Sequence, residues 1–108
     1  MNPILVLTTA TSMEEAKKIS SRLLEERLAA CTNIVGPVKS FFWWQNKIDK
    51  TKEFMIFIKT EKKLFSKVAK TIKKTHSYQV PEIIALPTIE VAKDYLDWMR
   101  AMLAYGEK

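Results

Sequence analysis

The apolar positions of the chain fall into segments with the periodicity of strands or of helices. Residues 3–10 (PILVLTTA) form a continuous aliphatic run that ends in threonines, which predicts a first strand. Ser12 followed by Glu15 is a capping box, the usual start of a helix. Apolar residues then recur at helical spacing and predict a helix of about 17 residues, namely at Ala16, Ile19, Leu23, Leu24 and Leu28.

The middle of the chain has the pattern of a long β-hairpin. Residues 32–44 are rich in β-branched and aromatic side chains and are broken only by Gly36-Pro37. Residues 45–52 (QNKIDKTK) are almost entirely polar and predict a turn. Residues 53–60 (EFMIFIKT) predict the second long strand of the hairpin.

The last third of the chain predicts a helix, a strand and another helix. A helical apolar stripe runs from Leu64 to Ile72, with most lysines of this segment off the stripe. Residues 80–90 (VPEIIALPTIE) predict a fourth strand that contains a proline. A last helix is expected to be capped by Asp94 or a neighbour, and four of its residues share a face: Tyr95, Trp98, Met99 and Met102.

This order predicts an α+β fold of the ferredoxin-like kind, a βαββαβ sandwich with an extra C-terminal helix. Its four strands form an antiparallel sheet with the helices on one face, and residues 1–108 form one domain. In this topology the second and fourth strands are the edges. Proline is confined to edges, strand starts and bulges, and these two strands carry Pro37 and Pro87.

The two predicted central strands, residues 4–7 and 54–58, are apolar at every position. A strand with a helix on one side and water on the other alternates, whereas a continuous apolar run indicates cover on both faces. Residues 41–44 (FFWW) place two aromatic side chains on each face of the hairpin. We therefore expect a homo-oligomer in which sheets pack together and the hairpin reaches a neighbour.

Composition limits the chemistry further. The 108 residues include one cysteine and one histidine, which excludes an internal disulfide and a Cys/His zinc cluster within one chain. The longest apolar run, residues 54–58, is far shorter than a membrane span, and the chain opens on no secretory leader pattern. These features predict a soluble, cytoplasmic protein with no membrane partner.

Most of the net charge of +6 comes from one predicted helix. Residues 61–75 carry six basic groups and one acidic group, and 15 of the 18 basic residues of the chain are lysines. Lysine is less suited than arginine to bidentate recognition of phosphates or base edges. We therefore expect a solvated lysine face and no nucleic acid partner, and the alternative is an anion-attracting surface.

Five short motifs stand out between about residues 5 and 98. They are residues 28–34 (LAACTNI), 43–48 (WWQNKI), 58–60 (IKT), 76–83 (HSYQVPEI) and 94–98 (DYLDW). In their order and spacing these motifs resemble the CutA family, the divalent-cation tolerance proteins.

The resemblance implies a cytoplasmic, PII-like homotrimer with a role in tolerance of and response to copper and other divalent cations. No enzymatic reaction is established for the family, so the resemblance implies a non-enzymatic protein, with other copies of itself as partners. It also implies a metal ion or small ligand as binding partner. Such a cofactor would be Cu(II) or another divalent transition metal, and folding would not require it.

The chain departs from the family pattern in the turn and near the histidine. Asn46 stands where the family usually has glycine, a change that a turn accepts because asparagine tolerates left-handed backbone angles. Ser77 stands where proline is usual. Some members that resemble copper binders have a cysteine and a second histidine at the positions of Thr8 and Thr75.

His76 and Cys31 are the candidate metal ligands. Thiolate and imidazole are soft donors, and together with Glu82 they would suit copper or zinc better than magnesium or calcium. Each residue also has a structural alternative. A histidine at a helix end can bond to backbone carbonyls, and a free cysteine is commonly a small buried apolar residue.

Four further residues are candidates for an inter-subunit cleft: Trp44, Lys59, Tyr78 and Glu82. They lie beside apolar runs, where strand ends deliver side chains into a cleft, and they could bind a small anionic or metal-chelating ligand. A lysine–glutamate pair and a hydrogen-bonded tyrosine explain the polar members equally well.

Two classes of function follow from these patterns. The leading hypothesis is a non-enzymatic trimeric protein of metal tolerance, with a metal or small ligand bound in inter-subunit clefts as in a PII-like sensor. The alternative is an RRM-like module that binds single-stranded nucleic acid on its sheet. The strand at residues 53–60 lacks the glycine of the RRM signature, and Phe54 and Phe57 are expected to point to opposite faces.

Overall fold

The computed structural model describes residues 2–103, so both ends of the predicted domain 1–108 lie outside the described residues. Its elements follow the predicted order of strands and helices, with a short 3-10 helix before the second α-helix. They are β1 (Pro3–Ala10), α1 (Met13–Glu25), β2 (Cys31–Trp44), β3 (Lys47–Glu61), the 3-10 helix (Lys62–Leu64), α2 (Phe65–Thr75), β4 (Ile83–Pro87) and α3 (Lys93–Met102). The predicted α+β, ferredoxin-like fold is confirmed.

The four strands form one antiparallel sheet in the order β2-β3-β1-β4. The two strands that contain no internal proline are central, and Pro37 and Pro87 lie on the edges as predicted. The register of β2 shifts between Val35 and Val38, at the Gly36-Pro37 step. The missing N–H of Pro37 therefore falls in an irregular stretch of an edge strand, where the ladder loses least.

The core lies between the sheet and helices α1 and α2. Alternate residues of the central strands face the helices, and Val6, Ile56 and Ile58 are fully buried there. The helices contribute one face each, from Ile19 and Leu23 in α1 and from three residues of α2 and the turn before it: Leu64, Val68 and Ile72. The apolar stripes read from the sequence are thus the buried faces.

Helix α1 has 13 residues and is shorter than predicted. Arg27 adopts a left-handed φ of 58°. The N–H of Arg27 bonds to Leu24 O at 3.0 Å and the N–H of Leu28 bonds to Leu23 O at 2.9 Å, which is a Schellman ending. Leu28 is buried although it lies beyond the helix, which is why the apolar spacing overestimated the length.

The hairpin turn is also shorter than predicted. Only Gln45 and Asn46 form it, with φ of 51° and 63°, the pair of left-handed residues that a tight two-residue hairpin turn requires. The polar residues 47–52 are the exposed start of β3, paired with residues 39–44 of β2. They are polar because this part of the hairpin extends beyond the helices and is exposed to solvent.

β4 and the start of α3 differ from the prediction as well. β4 covers only the five residues that pair with β1, because Pro81 and Pro87 lack the N–H that would extend the ladder. Ala92 is the N-cap of α3 and provides no side-chain bond. Asp94 lies inside the first turn, where its carboxylate accepts the N–H of Tyr95 at 3.0 Å.

The face of the sheet away from α1 and α2 is apolar as well. We call it the open face, and it carries the alternate strand residues that point away from the core. These are Leu5, Leu7, Met55, Phe57, Ile84 and Leu86. The continuous apolar runs of β1 and β3 thus result from one apolar set on each face.

We predict that Gly36→Ala destabilises the protein by about 1–3 kcal/mol, the usual cost of overpacking. A Cβ at this position would lie 2.7 Å from Phe54 Cδ2 and 3.1 Å from the backbone oxygen of Glu53. Thermal unfolding followed by circular dichroism measures the effect. Lys39→Ala, an exposed change on the same strand, is the matched control, and an equal melting temperature for the two variants would contradict the packing argument.

Candidate functional site

His76 ends helix α2 and is buried against β1. Its backbone N–H bonds to Ile72 O at 2.8 Å, and its Nε2 lies 2.6 Å from the carbonyl oxygen of Thr9. Its Nδ1 accepts the N–H of Tyr78 at 2.9 Å. A carbonyl can only accept, so Nε2 carries the proton and Nδ1 presents its lone pair, which defines a neutral imidazole with both nitrogens bonded.

These bonds bear on the candidate role of His76 in metal binding. A metal would need the lone pair of Nδ1, which is the acceptor for the N–H of Tyr78. The observed geometry corresponds to the structural alternative, a histidine at a helix end bonded to a backbone carbonyl. The metal role of His76 stays a prediction and requires Tyr78 to move.

Glu15 joins the start of α1 to the segment that follows His76. Its carboxylate accepts the N–H of Thr11 at 2.8 Å, the hydroxyl of Thr11 at 3.0 Å and the N–H of Ser77 at 2.8 Å. Burial acts to raise the pKa of this carboxyl, but the hydrogen bonds from Thr11 and Ser77 outweigh it and hold the pKa below its ordinary value. The donor at position 77 exists because serine, unlike proline, has an N–H.

Tyr78 and Glu53 form a hydrogen bond across the end of the sheet. The hydroxyl of Tyr78 donates to Oε2 of Glu53 at 2.9 Å, and Glu53 is only 5% exposed. Burial, this hydrogen bond and the negative charges of Glu53, Glu15 and Asp49 raise the pKa of Tyr78 to about 12. The phenol therefore stays protonated and acts as a donor to a buried carboxylate.

Glu82 belongs to the same group of side chains. Burial and the negative charge of Glu53 raise the pKa of its carboxyl. Two of the four predicted cleft residues, Tyr78 and Glu82, are thus brought together around Glu53. We call these three residues the acidic cluster.

Lys59 lies in a different part of the sheet. Its Nζ donates to Oδ1 of Asn33 and lies 3.8 Å from Sγ of Cys31. Lys59 pairs with Leu5, four residues before Thr9, so it is about 13 Å along β1 from the contact of His76. Among the described residues Lys59 forms no ion pair with Glu82. The lysine–glutamate pair that was the structural alternative for these two cleft residues is therefore not formed.

Cys31 pairs with Lys59 at the start of β2 and is half-buried. It also lies near Tyr95 of α3. Burial and, after it, the interaction with the Cys31 thiol raise the pKa of the Tyr95 phenol. Cys31 is thus about six residues along β3, or roughly 20 Å, from Glu53 and the acidic cluster. Within residues 2–103, no three histidine, cysteine, aspartate or glutamate side chains are grouped as a metal site.

Trp44 lies at the tip of the hairpin, paired with Lys47. Glu53 pairs with Val38, so Trp44 is six residues, or about 20 Å, further along the hairpin than the acidic cluster. Within one chain Trp44 therefore does not meet Tyr78 or Glu82. The aromatic tip is exposed, with Trp43 at 73% and Phe41 at 66%.

Glu53 and Glu15 are members of this region that the sequence motifs did not predict. Glu53 has a sequence signal, because it is a carboxylate that opens an apolar strand, but its hydrogen-bond donor Tyr78 comes from a distant segment. Glu15 was recognised only as a capping residue. Its backbone N–H does bond to Ser12 Oγ at 3.0 Å, while its side chain bonds to Thr11 and Ser77 instead.

Thr8 and Thr75 occupy the positions where some copper-binding relatives are expected to have cysteine and histidine. Thr8 is fully buried on the helix-covered face of the sheet. The hydroxyl of Thr75 donates to Thr71 O at 2.9 Å within α2. Burial under the helices thus accounts for Thr8, and a hydrogen bond within α2 accounts for Thr75.

The arrangement closely matches that of known structures. A divalent cation tolerance protein (Cut A1) from Thermus thermophilus is 41% identical, with a TM-score of 0.92 over 94% of this chain and 99% of that chain. CutA1 from Oryza sativa is 33% identical, with a TM-score of 0.95 over 98% of this chain and 97% of that chain. The fold thus defines a protein of the CutA1 structural class.

Sequence comparison identifies the family. Residues 4–102 match the model of the CutA1 divalent ion tolerance protein family. The divalent-cation tolerance protein CutA from Archaeoglobus fulgidus is 47% identical over 94 residues, which cover 87% of this chain and 91% of that protein. The chain belongs to the CutA1 family, and the resemblance seen in its five motifs is confirmed.

The predicted cytoplasmic location is contradicted by these relatives. The Archaeoglobus fulgidus CutA structure is described as a periplasmic divalent cation tolerance protein. The relatives from Oryza sativa and Arabidopsis thaliana are named as chloroplastic. The family is thus found in more than one compartment. The single cysteine and the lack of a leader pattern therefore do not assign a cytoplasmic location.

In the part of the chain that the structure describes, no helix has the length and apolar character needed to cross a membrane.

We predict that the free energy of unfolding decreases less in acid for Glu15→Gln than for the wild-type protein. The folded protein holds the Glu15 pKa below its ordinary value of 4.5, so the stabilisation is present above that pH. It is lost as the pH falls through the folded pKa. At neutral pH the variant should lose about 1.5–3 kcal/mol, the range for hydrogen bonds to a charged group.

Urea unfolding at a series of pH values between neutrality and the acid range measures this difference. Glu14→Gln is the matched control, because Glu14 is the exposed neighbour on the same helix turn. Parallel pH profiles for the wild-type protein and Glu15→Gln would contradict the role of Glu15.

Proposed function

We propose that the protein is a non-enzymatic homotrimer that acts in tolerance of divalent cations, copper among them. The observation that carries this proposal is the match of residues 4–102 to the divalent ion tolerance family. Its relatives in Archaeoglobus and Thermus are named divalent-cation tolerance proteins, and these names state no reaction. Homotrimeric assembly, copper response and PII-like sensing are the specific parts that we propose for this chain.

The open face and the hairpin tip support assembly with other copies. Leu86 and Ile84 of β4 are exposed at 43% and 47%, next to the apolar residues of β1 on the same face. The tip adds Phe41, Trp43 and Trp44. A monomer would expose more contiguous apolar surface than soluble proteins normally do, and packing of sheet against sheet would cover it.

Assembly would also complete the cleft. Trp44 lies too far from Tyr78 and Glu82 in one chain, so it can join the acidic cluster only as a residue of another copy. Lys59 with Cys31 forms a second polar group near α3. We propose that the inter-subunit cleft is built from parts that are separate in each chain, and that it binds a metal ion or a small ligand.

The acidic cluster favours a cation among these ligands. Glu53 and Glu82 already repel each other, and burial raises the pKa of Glu82, so a positive charge between them would be stabilising. His76 and Cys31 supply the soft donors that would select copper or another divalent transition metal. They could share an ion only when different copies bring them together.

The proposed metal is not needed for folding. The core is built from apolar side chains of β1, β3, α1 and α2, among them Val6, Ile58 and Ile19. The metal candidates lie outside this core cluster. We therefore propose a ligand that binds the folded assembly and stabilises it by mass action.

The alternative of an RRM-like module has no observation in its favour. Phe54 packs against the core, whereas Phe57 lies on the open face between the buried residues Ile56 and Ile58. β3 therefore places one phenylalanine on the open face rather than the pair that stacks on successive bases.

We predict a trimer at micromolar concentration, measured by native mass spectrometry and light scattering. Replacing Phe41 and Trp43 with serine should shift the mass toward monomer, because it removes two exposed aromatics of the hairpin tip. Ile89→Ser is the matched control, since Ile89 is 98% exposed but lies outside the open face and the tip. A stable wild-type monomer would exclude the proposed assembly.

We predict that Cu(II) binds with measurable heat and raises the melting temperature. Titration calorimetry with Cu(II), Zn(II) and Ni(II) should give reduced copper heat for Cys31→Ser and His76→Ala. Circular dichroism first establishes that each variant is folded, because His76 makes two structural hydrogen bonds. Equal heats for the wild-type protein and both variants would remove these residues from a metal role.

A further inference from the structure

Helix α2 differs from the other helices in how its charges are placed. A helix is stabilised by acidic residues in its first turn and basic residues in its last turn. Helix α1 follows this rule with Glu14 and Glu15 in its first turn and Arg22 in its last. Helix α3 follows it with Asp94 and Arg100.

The N-terminal end of α2 breaks the rule. Its first turn contains no acidic residue but does contain Lys67, and the 3-10 helix just before it adds Lys62, whereas Lys63 pairs with Glu61 at 3.8 Å. Positive charges at this end oppose the helix dipole. The same helix has no acidic residue anywhere between Phe65 and Thr75, so its lysines have no intrahelical partner.

Three of the α2 lysines form a row on the solvent side of the helix. Lys67, Lys70 and Lys74 are exposed, and at 100° per residue they fall within an arc of about 60°. Like charges three and four residues apart destabilise a helix. We call these three residues the lysine row, and Lys73 flanks it.

The charges of the lysine row are not neutralised by neighbouring elements. Among residues 2–103, Lys67, Lys70, Lys73 and Lys74 form no salt bridge. Glu26, the C-cap of α1, contacts α2 by accepting the hydroxyl of Thr71 at 3.1 Å. Glu26 also pairs with Arg22 at 3.5 Å, so its charge is already balanced.

We infer that the lysine row is a docking surface for the phosphate backbone of a nucleic acid, bound without regard to base sequence. Successive lysines of the row are about 4.5 to 6 Å apart along the helix axis. This spacing corresponds to one to two nucleotides of a duplex strand, whose phosphates are about 3.4 Å apart along the axis. A straight row of point charges thus complements a linear array of phosphates.

The chemistry of the row favours this partner over a membrane or a protein. The apolar side of α2 is buried in the core at Val68 and Ile72, so the helix has no apolar face to insert into a bilayer. The row also lacks the aromatic and arginine anchors typical of protein interfaces. Lysines contact phosphates as point charges and carry no base specificity.

The lysine row lies on a surface different from the sheet on which an RRM binds bases. The expectation of no nucleic acid partner rested on the scarcity of arginine, which concerns bidentate recognition of phosphates or base edges, and on the missing RRM signature, which concerns stacking of bases. Contact with phosphates alone requires neither. The docking surface is also separate from the acidic cluster, so it goes beyond the proposed role in metal tolerance.

Fluorescence anisotropy with a labelled mixed-sequence DNA duplex, at salt concentrations between about 50 and 200 mM, tests the inference. Four phosphate contacts, one from each residue of the lysine row and one from the flanking Lys73, predict a slope of about −3.6 for the logarithm of the association constant against the logarithm of the salt concentration. The variant Lys67→Gln, Lys70→Gln, Lys74→Gln should reduce the slope by about 2.7, because three contacts are lost.

The matched control is Lys17→Gln, Lys18→Gln, Lys93→Gln, which removes the same charge from exposed positions of α1 and α3. It should leave the slope unchanged. Melting temperatures establish that both variants fold, and glutamine keeps the helix propensity of lysine. Equal effects of the two variants would overturn the inference, because they would show a response to net charge alone.

Two further outcomes would also overturn it. Absence of duplex binding by the wild-type protein at low salt would show that the row is only a solvated face. Binding to vesicles with anionic lipid, without binding to the duplex at the same salt concentration, would assign the row to a membrane surface. Vesicles of neutral lipid serve as the control for that arm.

Discussion

The antiparallel pairing of β1 with β3 is the interaction on which the rest of the structure depends. It runs without interruption from Pro3 opposite Glu61 to Ala10 opposite Phe54. Both strands carry apolar residues on both faces, so the pair needs helices on one side and some other cover on the second. α1 and α2 provide the first cover, and the edge strands β2 and β4 extend the second face without covering it.

Much of this architecture could be predicted because it depends on local patterns. Periodicity located the elements, and the absence of internal proline from β1 and β3 identified the centre of the sheet. The errors arose where tertiary structure decides the conformation. Leu28 keeps the helical spacing of α1 although Arg27 ends the helix, and the polar residues 47–52 form a strand because the hairpin extends beyond the core.

The candidate site was predictable only in part, for a related reason. The sequence motifs indicated four candidate residues but not which of them are neighbours in the fold. These residues are His76, Cys31, Lys59 and Glu82. The register separates them, because Lys59 pairs with Cys31 while Glu53 pairs with Val38 six residues away. Glu53 was missed since its hydrogen-bond donor is Tyr78, a residue 25 positions later in the chain. Residue type predicts possible chemistry, and the fold decides which groups are neighbours.

The hydrogen bond from the N–H of Ser77 to Glu15 has a consequence for the evolution of this protein. A chain with proline at position 77 would have no donor there, so its residue 15 would receive hydrogen bonds only from elsewhere, such as Thr11. The identities of residues 15 and 77, which are 62 positions apart in the chain, are therefore expected to vary together across the family. Proline at position 77 of this chain would stiffen the segment after α2 and at the same time remove one of the bonds that attach this segment to α1.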